Sequence, residues 1–305
     1  VVISFLIGVF SASLFSADIY VKSVSTGDGA SKDSPMPHLW KAIDKAVRGD
    51  VIHVAVGVYN GKGGSGSFTI KVPDLTIVGG YSADFSSRSP FKNFTILERA
   101  KDYKGGAMGL GEGIIEGKGG SDHSRLIIDG LVLNGASRNS YHEDGKLNVK
   151  DSWNGALFKT NASDVKIKNC ILLNPFGEGV ASTWRGENNE ISNCFIINTF
   201  YAAISTRSAQ PVYVIRLVNN TIAFCWFMPS KGGGMCVFIG SKGKTILDRN
   251  VFAFAQTEDG EAGNAVNNTF GNEDTEMMGN VFFNCQGGYY KYVDADKKKS
   301  PCLES

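Results

Sequence analysis

Apolar and polar positions recur along this chain as a phrase rather than as a helical stripe. Residues 166–174 read KIKNCILLN and residues 190–198 read EISNCFIIN. Each copy alternates apolar with polar, meets an Asn-Cys pair, runs through three apolar residues and closes on Asn. An Asn with a large apolar residue two places on returns as Asn169–Ile171, Asn193–Phe195, Asn220–Ile222, Asn250–Phe252 and Asn280–Phe282, with Asp129–Leu131 a weaker earlier copy. Successive Asn residues are 24, 27, 30 and 30 apart, an interval that marks a repeat architecture.

The kind of repeat follows from its period. Helical repeats need apolar spacing of about 3.6 residues, and these segments alternate or run continuously instead. A leucine-rich frame is absent. Short β-branched and aromatic runs between Gly, Asn, Ser and Asp are strands, and strands recurring along a solenoid give a parallel β-helix. Equivalent residues then stack about 4.8 Å apart. An Asn stacked on the Asn of the next coil bonds its neighbours and the backbone, which satisfies groups costly to bury. Each copy is therefore expected to be one coil, with Asn as a turn ladder. Five residues after each Asn stand Asn174, Asn198, Cys225, Ala255 and Cys285, suited to a second tight corner. Cys170 and Cys194 hold the same place in adjacent coils, as stacked buried thiols or as a disulfide between coils.

The same pattern lays out the rest of the chain. Residues 38–48 read as a short amphipathic helix with Leu39, Ile43, Ala46 and Val47 on one face, ended by Gly49-Asp50. It is the expected plug for the open end of a solenoid. Strands are predicted at VIHVAVGVY, FTIKV, LTIVGGY, FTILE, GIIEG and RLIIDGLVLNG. The β-helix domain is placed at residues 18–290, with roughly eight to nine coils, loops at 135–155 and 256–264, and a tail or cap at 291–305. Residues 1–17, VVISFLIGVFSASLFSA, form a signal-peptide-like or anchoring segment, short for a membrane span.

Composition narrows the function classes. The 305 residues include 37 Gly and 8 Pro, and the net charge is +1. No basic excess points to nucleic acid. Six cysteines are present without a C-x-x-C pair, so a zinc ribbon is not expected. The chain is read as secreted or at the cell surface, with membrane contact only through the N-terminal segment where that is retained.

Four stretches carry a resemblance to a known family: IYVKSVSTGDGASKDSP, AIDKAVRGDVIHVAVGVY, LTIVGGYSADFSSRSP and the turn from Asn219 to Ile222. On these, the chain resembles right-handed parallel β-helix proteins of the pectin-lyase-like superfamily. The blend is similar to exported bacterial members related to the alginate-lyase and chondroitinase-like group. The resemblance implies an all-β, right-handed parallel β-helix. It also implies action on a polysaccharide, in which Lys or Arg serve β-elimination, often with calcium held by carboxylates and amides. The superfamily also holds adhesins and proteins of no known activity, so the fold alone does not fix the function.

β-Elimination from an acidic glycan needs a cation to neutralise the uronate carboxylate and a base to take the adjacent proton. Aligning GALFKT, GVASTW and AISTR places Lys159, Thr183 and Arg207 on one outward row of consecutive coils, with Lys159 and Arg207 about 10 Å apart. Trp184 and Arg185 adjoin that row as a substrate-binding stripe, and Glu178 and Glu187 flank it as calcium ligands. His142, in YHEDGK of the long loop, is the candidate base. His53, inside the first strand, reads as structural. Asp129, Asp164 and Asp248 do not align as an acid/base cluster for hydrolysis. Two functions are expected from this. One is an exported β-helix protein that binds, and in its enzymatic form cleaves, an acidic polysaccharide. The other is a non-catalytic surface, adhesive or filament-forming rod that self-associates end to end.

Overall fold

The computed structural model describes residues 16–102, 109–112, 125–135, 156–160, 162–175, 177–207, 213–228, 232–256, 263–270 and 274–293. Nearly all of its regular structure is β, in three parallel sheets. The first runs from Asp18–Val21 to Thr275–Met278 in nine strands, and the third from Ser67–Ile70 to Tyr290–Tyr292 in eight. The second runs from Gly57–Tyr59 to Val281–Phe283 in eight strands, and the short strand Gly232–Gly233 pairs antiparallel with Thr221–Met228 beside it. After the opening strand the chain visits the first, second and third sheet in the same order each time. This is the winding of a parallel β-helix.

Register explains the core. In the first sheet Ile19, Ile52, Ile77, Ile128, Ile167, Ile191, Leu217 and Leu247 are successive Cα partners. All are buried. Each burial contributes about 1.5–3 kcal/mol, and a slip of one residue would turn the whole column outward. Leu172, Ile196, Ile222 and Phe252 form the matching column of the second sheet, and Phe158, Val180, Ile204 and Val237 that of the third.

The turn between the first and second sheets holds two ladders, where the sequence pattern predicts one. Asn169, Asn193, Asn219, Arg249 and Gly279 occupy its left-handed corner, with φ of 52°, 53°, 54°, 52° and 64°. Asn tolerates that region better than most residues, and Gly takes it freely. One place on, Cys170, Cys194, Asn220, Asn250 and Asn280 precede the paired strands beginning Ile171, Phe195, Thr221, Val251 and Val281. The expected alignment of Asn169 and Asn193 with Asn220, Asn250 and Asn280 is thus one residue out. Pairing of the following strand sets the frame, and it puts a thiol where later coils put an amide. Cys170, Cys194, Cys225, Cys236 and Cys285 are buried free thiols.

The second corner lies one residue before the predicted Cys225, Ala255 and Cys285. Asn174, Asn198, Phe224, Phe254 and Asn284 take left-handed φ there.

The helix runs over Leu39–Lys45, shorter than 38–48, and packs Leu39, Ala42 and Ile43 into the core against strands Asp18–Val21, Val51–Ala55 and Ser67–Ile70. Val47 is 41% exposed rather than buried. The cause is Asp50, whose carboxylate accepts the N–H groups of Val47 and Ala17, each at 2.8 Å, and so turns the chain out of the helix. The predicted strand GIIEG and residues 136–155 and 257–262 of the predicted loops lie outside the described residues, as do residues 1–15 and 294–305.

Candidate functional site

The third sheet carries the expected row in a different register. Lys159 is exposed in strand Phe158–Thr160, and its Cα partners are Gly111 and Ala181. Ala181 pairs in turn with Ser205, and Thr183 with Arg207. Lys159 therefore stands two residues away from the row of Thr183 and Arg207. The reason lies in the core: Phe158, Val180 and Ile204 must stack inward, and that fixes the frame against the one read from the glycines of GALFKT and GVASTW. A shift of two preserves the alternation, so positions 159, 183 and 207 belong to the same alternate set. Two strand spacings and two residues along the strand put Lys159 and Arg207 about 12 Å apart between Cα atoms.

Trp184 does not join them. It is fully buried, which removes it from any surface stripe. The sharp turn that follows accounts for this. Gly186 takes φ 72°, and the buried Asn189 amide donates to the carbonyls of Arg185, Gly186 and Val214 at 2.8, 3.1 and 3.0 Å. Its oxygen accepts the Val165 N–H at 3.0 Å. That brace folds Trp184 inward and leaves Arg185 exposed beside the third sheet.

The two glutamates lie on different sheets. Glu178 is half-buried at the start of strand Glu178–Thr183 in the third, and Glu187 is exposed in strand Gly186–Ser192 of the first. Among the described residues no group of three or more His, Cys, Asp or Glu side chains is placed to hold a metal. His142 lies outside the described residues.

The structure brings together residues that the repeat reading passed over. His53, on the outward side of the first sheet, is held from three directions. Its Nε2 lies 2.7 Å from Asp18 Oδ1, its Nδ1 lies 3.0 Å from the Tyr81 hydroxyl, and its ring stacks on Tyr20 at 5.0 Å. The Arg88 guanidinium sits 6.0 Å over the Tyr81 ring and donates to Asp129 at 2.5 Å. Burial, the largest influence, pushes the Tyr81 phenol up. A carboxylate, an imidazole and a phenol in sequence can pass a proton. The signal was Asp18, His53 and Tyr81 on three adjacent strands, visible only once register is known.

A polar cleft of about 470 Å³ opens at the N-terminal flank, lined by Lys22, Thr26, Lys32, Asp33, Ser34 and Asp84 among others. The Ser82 hydroxyl, then the Ser86 N–H and hydroxyl, hold the Asp84 carboxyl well below the usual range. None of the lining residues belongs to the third sheet.

No protein-family model matches the chain, and no curated protein does. Among solved structures, the chain is similar to the GH136 lacto-N-biosidase of Eubacterium ramulus at 12% identity and a TM-score of 0.40, with 90% of this chain and 56% of that one covered. It is also similar to the pectin methylesterase of Aspergillus niger at 13% identity and a TM-score of 0.30, with 95% and 90% covered. The chain thus spans little more than half the length of the biosidase, and both likenesses are of fold alone.

Proposed function

We propose that this is an exported, right-handed β-helix protein that binds an acidic extracellular polysaccharide along the third sheet. Its eight to nine coils form the platform, and the helix Leu39–Lys45 plugs one end. The observation that carries the reading is Lys159, exposed on the same alternate set of strand positions as Thr183 and Arg207. Lys159 and Arg207, with Cα atoms about 12 Å apart, suit carboxylates on separate residues of an extended uronate chain. The chemistry they serve is β-elimination, with Lys159 and Arg207 neutralising the uronate, His142 as base, and any calcium held by Glu178 of the third sheet with substrate oxygens. Arg185 would hold a neighbouring carboxylate.

Incubation with alginate, pectate and chondroitin, with and without calcium, tests this. Ultraviolet absorbance follows the unsaturated product, and affinity electrophoresis follows binding. Lys159→Ala is expected to weaken binding about tenfold, the loss of one charge-assisted contact. Absence of binding to all three glycans overturns the proposal, and binding without product limits it to recognition.

A second reading, a non-catalytic surface or adhesive rod, is favoured by the apolar outer face of the second sheet. Val58, Phe195, Val251, Val281 and Phe283 stand exposed there, a face made for contact rather than for chemistry.

A further inference from the structure

The outward positions of the first and second sheets differ in kind. On the first, successive partners include Lys166, Glu190 and Arg216, a charged and solvated surface. On the second, the column through Ile171, Phe195, Thr221, Val251 and Val281 is apolar but for one hydroxyl. The next outward column, Leu173, Ile197, Ala223, Ala253 and Phe283, carries no polar group. Phe195 is 43% exposed and Phe283 58%. Phe91 reaches over from the loop before the second sheet and meets Phe195 edge-on at 5.6 Å.

We propose that this face packs against the same face of a second copy, so that the protein is a side-by-side, two-fold dimer. Eight strands at about 4.8 Å and some five residues at about 3.3 Å give roughly 600 Å² of flat surface. That approaches the ~800 Å² per partner of a standard interface and stands at the upper end of the apolar patches that monomers leave bare. Its corner residues are mainly amides: Asn169, Asn193 and Asn219 on one side, with Arg249 held by the Asp248 carboxylate at 2.9 Å, and Asn174, Asn198 and Asn284 on the other, with Phe224 and Phe254. An apolar centre with a neutral polar rim fits a protein partner. A lipid surface would call for Lys and Arg around the patch.

The relief is self-complementary. Phe195 stands proud beside the low floor of Thr221 and Ala223 on the next strand. A two-fold axis between those two strands seats Phe195 of each copy on Thr221 and Ala223 of the other, as an isologous contact requires. The third sheet stays free, so a dimer presents two polysaccharide faces; the dimer itself does not depend on that reading.

Sedimentation velocity on the full chain tests the proposal. A species of twice the 32.8 kDa chain mass is expected at micromolar concentration. Phe195→Glu and Ala223→Arg are each expected to raise the dimer dissociation constant by about tenfold or more, with circular dichroism unchanged. Lys166→Glu, on the first sheet, is expected to leave it unaltered. Should either second-sheet variant misfold, Val251→Lys reads the same face. A monomeric wild type overturns the proposal, whether or not it binds neutral or anionic vesicles. So does a dimer that folded Phe195→Glu leaves intact.

Discussion

Asn250 Oδ1 accepts two hydrogen bonds from Asn220, one from its backbone N–H and one from its side-chain amide, both at 3.0 Å. The Asn250 amide donates back to Leu217 O at 2.8 Å and forward to Asn280 Oδ1 at 3.0 Å. Asn220 and Asn280 repeat the backward bond to Ile191 and Leu247. In the earlier coils thiols hold the place. Cys194 Sγ takes the Cys170 N–H at 3.5 Å and reaches Ile167 O only at 3.7 Å. Asn250→Ala strands buried groups of two neighbouring coils at once. The expected cost is about 3 kcal/mol, seen as a fall in Tm of roughly 6–12 °C. Cys194→Asn extends the amide ladder by one coil and is expected to raise stability by about 0.5–1 kcal/mol in denaturant titration.

Phe224 and Phe254 sit at the second corner with φ of 58° and 55°, a region that strains a bulky side chain by about 1–3 kcal/mol. Their rings stack at 4.7 Å with planes 3° apart, and that contact offsets the strain. Other coils place Asn174, Asn198 and Asn284 there. Phe254→Asn trades ring contact for relief and is expected to change stability by less than about 1 kcal/mol. Phe254→Val keeps the strain, loses the stack and is expected to cost about 2 kcal/mol or more. Chemical denaturation of the two variants side by side decides it.

These two ladders show how far the sequence could be read. The recurring phrase from Lys166 to Asn174 carries the parallel sheets, because one copy per coil is what a solenoid needs. It did not carry register. An Asn beside a Cys looks the same whether the corner or the residue after it is being marked, and only the inward stacking of Leu172, Ile196, Ile222 and Phe252 separates Asn219 from Asn220. A register ambiguity of the same origin, here of two residues, displaced Lys159 from Thr183. Trp184 looked like a surface aromatic because it follows an exposed-looking strand, and the Asn189 brace that turns it inward lies five residues ahead. His53, Tyr81 and Asp18 were illegible as a group, since their meeting depends on strands 35 and 28 residues from His53.

Trp184 is expected to behave as a core residue. It is fully buried, and its Nε1 meets no hydrogen-bond partner among the described residues. Trp184→Ala leaves a large cavity and is expected to cost about 3–5 kcal/mol. Trp184→Phe keeps most of the apolar volume and removes an unpaired donor, so its cost is expected to stay near 1 kcal/mol. Glycan binding by folded Trp184→Phe is expected to equal wild type in affinity electrophoresis. A selective loss of binding at unchanged stability would return Trp184 to the recognition surface.

Stability is expected to fall at both ends of the pH scale. At Asp74, desolvation is the largest influence and raises the pKa, but the Arg125 N–H at 2.9 Å, the Arg48 guanidinium at 2.7 Å and both cations together hold it below the ordinary value. Asp28 is lowered as well, by the Ala30 N–H and the Ser34 hydroxyl. In the unfolded chain these carboxyls titrate near about 3.9. The unfolded state therefore binds more protons between the two values. The carboxylates' stabilisation is complete above about pH 4 and is lost as the pH drops through the lowered values. At the alkaline end, burial pushes the Tyr59 phenol well above its ordinary value while its hydroxyl donates to Ala55 O at 2.9 Å. A raised phenol pKa leaves stability flat below about pH 10 and erodes it above, because the unfolded chain ionises first. Thermal unfolding from pH 2 to pH 11 checks both limbs. Asp74→Asn is expected to shallow the acid limb, and Tyr59→Phe the alkaline one. An acid limb as steep in Asp74→Asn as in wild type would remove Asp74 from the account.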